Sequence, residues 1–285
     1  MITIIEPGVY DMTAEEYHAD EAVPGGSLSS SGARRLLPPG CPALYRWEQD
    51  HPQPAKRVFD FGHAAHKLVL GDGPEIDVLD FDNYQTKAAQ QARDEARHMG
   101  VVPLLRHEYQ QVLEMAAVIR RHPLASALLA PESGQPEISM FAQDPATGMW
   151  VRSRPDWMPH RTGSRTLIPD YKSTNDASNE AFTKSIQSFG YYQQAPWYID
   201  IAVALDLASE DAEFLFIAQE KTPPYLVNVI GLDADWLRKG RARNRAALEL
   251  YAECSQTGRW PGYGDEPNYV SQPVWADIRD TEEYL

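Results

Sequence analysis

The stretch Thr166-Leu-Ile-Pro-Asp-Tyr-Lys172 is a short, largely apolar run that ends in one acidic and one basic side chain. Such a run is typical of a buried β-strand. Because side chains two apart on a strand share a face, Asp170 and Lys172 are predicted to point together while Tyr171 points away. The pair has two interpretations. It is either a plain ion pair or half of a phosphodiesterase site, in which Asp170 holds a divalent cation and Lys172 positions water or neutralises developing charge.

A second acidic residue ends the preceding predicted strand, in Arg154-Pro-Asp156. We predict that residues 149–156 and 165–172 form an antiparallel hairpin, which would bring Asp156 beside Asp170. Two adjacent carboxylates repel each other, and a hard cation with oxygen ligands relieves that repulsion. The alternative is that Asp156 only forms a turn, since aspartates are common turn residues.

The rest of the chain divides into a mainly helical part, residues 1–130, and a sheet part, residues 131–260. Helices are predicted at 28–37, around 44–47, and at 59–70, 85–98 and 103–122, from capping serines, helix-forming residues and helical spacing of apolar residues. Strands are predicted at 137–142, 149–154, 166–172, 212–219 and 225–230, and helices at 181–207, kinked by Pro196, and 233–254. This order predicts a single domain over 1–285, α/β (α+β) in class, with a mixed central sheet flanked by helices and a C-terminal tail at 261–285.

Composition and charge exclude several classes of protein. The chain has 285 residues, 43% hydrophobic and 24% charged, which is typical of a globular domain. No stretch approaches the roughly 20 apolar residues of a membrane span, and no secretory signal is visible, so we expect a cytoplasmic protein with no membrane partner. The net charge of −15 is unlike that of a protein that coats nucleic acid, so any such contact should be confined to a local basic channel.

Two kinds of cofactor are also excluded by the sequence pattern. Cys41 and Cys254 are too few for an iron–sulfur cluster held by four cysteines. The glycine-rich signatures that cradle nucleotide phosphates are absent, so we expect no nucleotide cofactor.

Short motifs occur in a fixed order along the chain. They are Leu28-Ser-Ser-Ser followed by Cys41-Pro42 and Tyr45, then Gly62-His-Ala-Ala-His66, Pro155-Asp156, Asp170-Tyr-Lys172 and Gln194-Ala-Pro-Trp-Tyr198. Together they resemble the signature of the PD-(D/E)XK nuclease superfamily in its RecB-like branch, over about residues 28–200. Within that branch, the segments Phe61–Leu68, Pro136–Ser139, Arg154–Trp157 and Asp170–Ser173 are most similar to the RecE-like nucleases, the family of the exonuclease VIII C-terminal domain.

This resemblance implies a restriction-endonuclease-like core and a Mg²⁺-dependent exonuclease in which Mn²⁺ can substitute. It implies hydrolysis of linear double-stranded DNA from the 5′ end, which leaves 3′ overhangs for a RecT-like single-strand annealing protein in phage recombination and repair. It also implies a homo-oligomeric ring that encloses the DNA.

The resemblance assigns a catalytic role to Lys172, together with Asp156, Asp170 and Glu137. The implied metal ligands are His66, Asp156, Asp170 and the main-chain carbonyl of Tyr171. Glu137, placed on the strand before the hairpin, would add a ligand directly or through water, or else face solvent. Of the two histidines in the motif, only His66 fits the ligand position, and His63 is interpreted as structural.

Further residues are assigned to DNA binding. Gln194 and Tyr198 lie four apart on one predicted helix and project together. In the family they help to hold the DNA or the active site; the alternative is an apolar stripe with Tyr191, Tyr192 and Trp197 in the core. Candidate phosphate contacts are Arg34, Arg35, Arg152 and Arg154.

Two other functions remain compatible with the sequence. One is a single-strand or structure-specific endonuclease on the same fold. The other is a non-catalytic phage adaptor that binds a protein partner, although the retained aspartates and lysine argue against a decayed site.

Overall fold

The computed structural model describes residues 3–19, 22–51, 60–161, 165–264 and 266–285. Its helices are α1 (Ala14–His18), α2 (Ser30–Leu36), α3 (Pro42–Asp50), α4 (Asp60–Leu70), α5 (Lys87–His98), α6 (Arg106–Arg121), α7 (Pro123–Leu128), α8 (Asn179–Phe189), α9 (Tyr191–Ala204), α10 (Ala234–Thr257) and α11 (Val274–Tyr284). Its strands are β1 (Gly8–Tyr10), β2 (Leu28–Ser29), β3 (Ile76–Leu79), β4 (Val102–Leu105), β5 (Gly134–Pro136), β6 (Ser139–Gln143), β7 (Trp150–Ser153), β8 (Trp157–Pro159), β9 (Leu167–Thr174), β10 (Glu213–Glu220) and β11 (Val227–Gly231). The predicted mixed α/β fold is confirmed.

The strand that carries Asp170 and Lys172, β9, lies at one edge of a three-stranded sheet of order β11-β10-β9, between two layers of helices. β10 pairs in parallel with β9 and antiparallel with β11. Ile168 and Phe216 contribute to one core cluster, packed with α2, α8, α9 and α10, whereas Tyr171 and Ile217 contribute to a second cluster beneath α4 and α6. Apolar layers therefore cover both faces of this sheet, as is usual for parallel strands.

The predicted antiparallel hairpin of 149–156 with 165–172 is wrong. Among the described residues, β7 pairs with β6 and β2 in a sheet of order β1-β6-β7-β2, while β9 pairs with β10. The reason is the two-sided burial of β9, where residues 168–171 are all buried. A strand covered on both faces suits parallel pairing, and the α8–α9 connection supplies the crossover that parallel pairing needs.

The predicted helix 181–207 is two helices, and their junction is not at Pro196. Gly190 separates α8 from α9 in the left-handed conformation, with φ 65°, and its N–H donates to the carbonyls at the end of α8. Glycine adopts this conformation without steric cost, which makes it the usual residue after a helix end. α9 then continues through Pro196.

Several smaller predictions also change. The helix predicted at 103–122 begins at Arg106, because Val102–Leu105 forms β4 in parallel with β3. The predicted C-terminal tail carries α11. Phe59, predicted as the first residue of a helix, lies outside the described residues, and α4 is described from Asp60. In the described ranges, no helix combines the length and the apolar character that a bilayer span requires.

An ion pair between a buried carboxylate and a partly exposed arginine ties α10 to the turn between β6 and β7. Arg245 donates to both carboxylate oxygens of Asp144, at 2.8 and 2.7 Å, and the Thr147 backbone and hydroxyl donate to the same carboxylate. The hydrogen bonds from Arg245 lower the pKa of Asp144 to about 2. The Asp144 side chain is 6% exposed, so its charge depends on these partners.

We expect Asp144→Asn to lower the free energy of unfolding by about 1.5–3 kcal/mol at neutral pH, the range for hydrogen bonds to a charged group. The folded pKa lies below the unfolded value of about 3.9, so this contribution is complete above about pH 4 and is lost as the pH falls towards 2. Urea unfolding at several pH values measures it. The control is Asp200→Asn, which removes a pair with Arg241 that is exposed on both sides and should cost under about 1 kcal/mol. Equal losses in the two variants would contradict the assignment.

Candidate active site

Asp170 and Lys172 meet on one face of β9, as the strand alternation predicts. The Lys172 ammonium lies 2.6 Å from the Asp170 carboxylate, and the Asp170 side chain is fully buried while that of Lys172 is 21% exposed. The buried carboxylate thus holds the lysine ammonium, and part of the lysine side chain remains accessible to solvent.

Asp156 reaches β9 without the predicted hairpin. It lies just before β8, and one of its carboxylate oxygens accepts a hydrogen bond from the Tyr171 backbone N–H at 2.7 Å. The other oxygen lies 3.1 Å from Nε2 of His66, which projects from α4. Asp156 is therefore next to the strand of Asp170 and Lys172, as expected. The contact is a hydrogen bond from the edge of β9 to the Asp156 side chain, and not strand pairing.

Glu137 completes this cluster, but from a different position than predicted. It lies in the bend between β5 and β6 and not in a strand, with a left-handed φ of 53°. Non-glycine residues rarely adopt this conformation, and those that do concentrate at functional sites. Its backbone N–H donates to the Asp156 carbonyl at 3.3 Å, and its carboxylate lies 3.4 Å from Nδ1 of His66. The strained backbone thus directs the carboxylate to His66.

The charges in this site depend on one another. Burial, followed by the neighbouring charge of Asp156, raises the pKa of Asp170. Burial opposes ionisation of Asp156 as well, but His66 and Lys172 hold its pKa below the ordinary value. Burial alone would lower the pKa of His66, yet Asp156 and Glu137 raise it to about 9. Without a metal ion, a protonated His66 is therefore the cation between two carboxylates.

The donor set fits a hard divalent cation. Ligand atoms of His66, Glu137 and Asp156 all lie within 4.8 Å of one another. Carboxylate oxygens with one imidazole suit Mg²⁺ or Mn²⁺, and ligation would require His66 to lose its proton. Asp170 lies outside this three-residue cluster, with its carboxylate in contact with Lys172 and Gln194, and its role as a ligand stays a prediction. His63 also lies outside it, on the exposed side of α4.

The two interpretations of the Gln194–Tyr198 stripe both hold in part. Gln194 donates to the Asp170 carboxylate at 2.8 Å, so it positions an active-site side chain directly. Tyr198 packs edge-on against Phe214, and burial raises its pKa. Tyr192 and Trp197 are buried in the first core cluster, as the alternative proposed.

The candidate phosphate-binding arginines are placed differently from one another. Arg152 is 5% exposed. Its guanidinium lies 5.5 Å from the Tyr17 ring centroid and donates a hydrogen bond to the Ser27 hydroxyl. This burial corrects the prediction that Arg152 contacts a phosphate. Arg35 is exposed and pairs with Glu48. Only Arg34, on α2, flanks the α8–α9 junction, where it donates to the Phe189 carbonyl.

Arg154 supports the cluster instead of facing a phosphate. Its Nε donates to the Glu137 carboxylate at 2.6 Å, and its NH1 donates to the Met12 carbonyl at 3.0 Å and to Ser139. Its side chain is 12% exposed. Arg154 therefore holds Glu137 in place and connects it to the N-terminal segment.

Two supporting residues were not predicted from the sequence. The Lys172 ammonium lies 5.2 Å from the centroid of the Tyr191 ring, a cation–π distance. Gln219, fully buried on β10, accepts from the Tyr171 hydroxyl at 2.8 Å and donates to the Met115 carbonyl at 2.9 Å. A glutamine inside an apolar strand is a signal that could have identified Gln219. Nothing in the sequence distinguishes Tyr191 from the core aromatic residues around it.

Comparisons with known proteins identify the family of the chain and its fold. A family model described as a PDDEXK-like domain of unknown function matches residues 30–273. A candidate exonuclease from Eubacterium rectale has a similar structure, with a TM-score of 0.58 and 14% identity over 97% of this chain and 100% of that one. Weaker similarity extends to SSO0001 (TM-score 0.37, 12% identity, 82% of this chain and 76% of that one) and to an alkaline exonuclease from Laribacter hongkongensis (0.25, 13%, 71% and 96%). No curated protein matches the sequence.

If the cluster binds a cation, Mg²⁺ or Mn²⁺ should raise the thermal unfolding midpoint, by an amount equivalent to about 2.7 kcal/mol at a hundredfold excess over the dissociation constant. Asp156→Asn and Glu137→Gln should remove this shift, because each deletes a charged ligand. Differential scanning fluorimetry with and without metal measures it. The matched control, Glu75→Gln, changes an exposed carboxylate paired with Lys67 and should keep the full shift. A metal shift that survives in Asp156→Asn would rule out this site.

Proposed function

Because the chain belongs to the family of the PDDEXK-like domain of unknown function (DUF3799), we propose that it is a metal-dependent nuclease that hydrolyses phosphodiester bonds. One observation carries this proposal: a lysine anchored on a buried aspartate stands beside a cluster of one histidine and two carboxylates. An ordinary surface ion pair would not need a fully buried carboxylate with two donors on it.

Each group of residues in the site has a separate role in hydrolysis. A divalent cation held by His66, Glu137 and Asp156 would supply Lewis-acid activation of the phosphate. The accessible side of Lys172 neutralises charge that develops on the phosphate as water attacks. Asp170 fixes the lysine, and Gln194 fixes Asp170, so the ammonium is held in place before substrate arrives.

The finer proposal concerns the substrate. On the strength of the RecE-like motifs, the substrate is the end of linear double-stranded DNA, cut from 5′ to 3′ in the cytoplasm with Mg²⁺ or Mn²⁺. The 3′ overhang would pass to a RecT-like single-strand annealing protein, and a homo-oligomeric ring would enclose the DNA. The net charge of −15 supports contact limited to the site itself, because an acidic exterior repels the phosphate backbone.

Linear duplex labelled at its 5′ or its 3′ end, incubated with Mg²⁺ beside a closed circular duplex, tests the substrate and the direction. We expect early release of the 5′ label and intact circles. Cutting of the circles would instead assign an endonuclease, and early release of the 3′ label would reverse the direction. Protein that digests none of these DNAs with Mg²⁺ or Mn²⁺ would refute the nuclease proposal and favour the adaptor.

Lys172→Ala should reduce the cleavage rate by a factor of roughly 10²–10³ or more, the usual effect of removing one electrostatic contact to a transition state. The metal-induced shift of the unfolding midpoint should remain, because the cation ligands are untouched. Single-turnover cleavage and fluorimetry measure the two effects. Lys184→Ala, which removes an exposed lysine of α8, is the control and should cleave normally. Full activity in Lys172→Ala would exclude the assigned role.

A further inference from the structure

Phe189 is an aromatic side chain that the fold leaves in solvent. It is the last residue of α8, and it is 58% exposed, whereas Phe182 and Ile186 of the same helix are buried. The left-handed Gly190 ends the helix directly after it, so the chain turns into α9 before Phe189 can join the core. Leaving much of a phenyl ring in water forgoes part of the favourable free energy of its burial. The exposed ring therefore invites a functional explanation.

This ring is connected to the active site through Tyr191. The ring centroids of Phe189 and Tyr191 are 5.6 Å apart, and the Tyr191 ring centroid is 5.2 Å from the Lys172 ammonium. Tyr191 also stacks on Phe216 of β10, at 5.4 Å, which anchors it to the sheet. Phe189 and Tyr191 thus form an aromatic ledge that runs from the lysine to solvent.

The main chain beneath the ledge is held by a cation. Arg34 donates to the Phe189 carbonyl, and its side chain lies so close to Gly190 that an added Cβ would meet its Cδ at 2.5 Å. The main chain at Phe189 and Gly190 is therefore held by α2 as well as by α8. The guanidinium therefore lies beside the main chain of Phe189, at the junction between α8 and α9.

We propose that Phe189 stacks on a nucleobase of the strand whose phosphate is cut, at the free face of a terminal or unpaired base. This inference rests on the proposed nuclease function and deepens it. Aromatic side chains bind bases of single strands by stacking without strong sequence preference, because every base has a π-face. A phenyl ring one aromatic contact away from the catalytic lysine is suitably placed for the base next to the scissile phosphate.

A mutant cycle between the ring and the base tests the proposal. Phe189→Ala and Phe189→Trp are compared with wild type on duplexes in which one nucleotide near the cut end is replaced by an abasic residue, position by position. At one position, removing the base should raise KM for wild type on the order of tenfold, as expected for one stacked base. Phe189→Ala should show that higher KM already on intact DNA, and it should lose little more with the abasic substrate. Phe189→Trp should stay close to wild type, and kcat at saturating DNA should change little.

The control is Leu124→Ala, which removes another exposed apolar side chain, 47% exposed, at the start of α7. It should keep the wild-type response to every abasic substrate. If the effects of Phe189→Ala and base removal simply multiply at every position, the stacking inference fails while the nuclease proposal stands. If the wild-type protein cleaves no DNA, the nuclease proposal itself fails. An unchanged KM in Phe189→Ala would also overturn the inference and leave the ledge as a surface for a protein partner.

Discussion

Burial of carboxylates at one edge of β9 is the constraint on which the site depends. Asp170 is fully buried and Asp156 is close enough to raise its pKa, so neither charge is stable without partners. Lys172, Gln194, the Tyr171 backbone and His66 supply those partners from β9, α9 and α4. The fold thus offsets the electrostatic cost of bringing these acidic side chains together, and it leaves His66, Glu137 and Asp156 as a donor set that fits a cation.

Parallel pairing of β9 with β10 brings Gln194 and Tyr191 to Asp170 and Lys172. A parallel neighbour requires a crossover, and here the crossover is α8 and α9. Because α9 returns over the sheet and packs on β10, Gln194 reaches Asp170 and Tyr191 reaches Lys172. The same connection turns at Gly190, which places Phe189 at the rim. Parallel pairing therefore places Gln194, Tyr191 and Phe189 around β9, while His66, Glu137 and Asp156 reach the site from other elements.

Local pattern predicted part of the site, and long-range packing decided the rest. Strand alternation was enough to place Asp170 with Lys172, because both lie on one element. Asp156 was placed correctly beside that strand for a wrong reason, since no local signal reveals that β9 prefers β10 to β7. The left-handed backbone of Glu137 and the burial of Arg152 also depend on neighbours distant in sequence. The helix break could have been predicted at Gly190, but the kink was predicted at Pro196 instead.

The contacts of Arg154 connect the N-terminal segment of the chain to the candidate site. One guanidinium donates to both the Met12 carbonyl and the Glu137 carboxylate, so the segment between β1 and α1 is linked to a residue of the candidate metal cluster. A change in the position of this N-terminal segment would therefore also move the Glu137 carboxylate, which lies 3.4 Å from Nδ1 of His66.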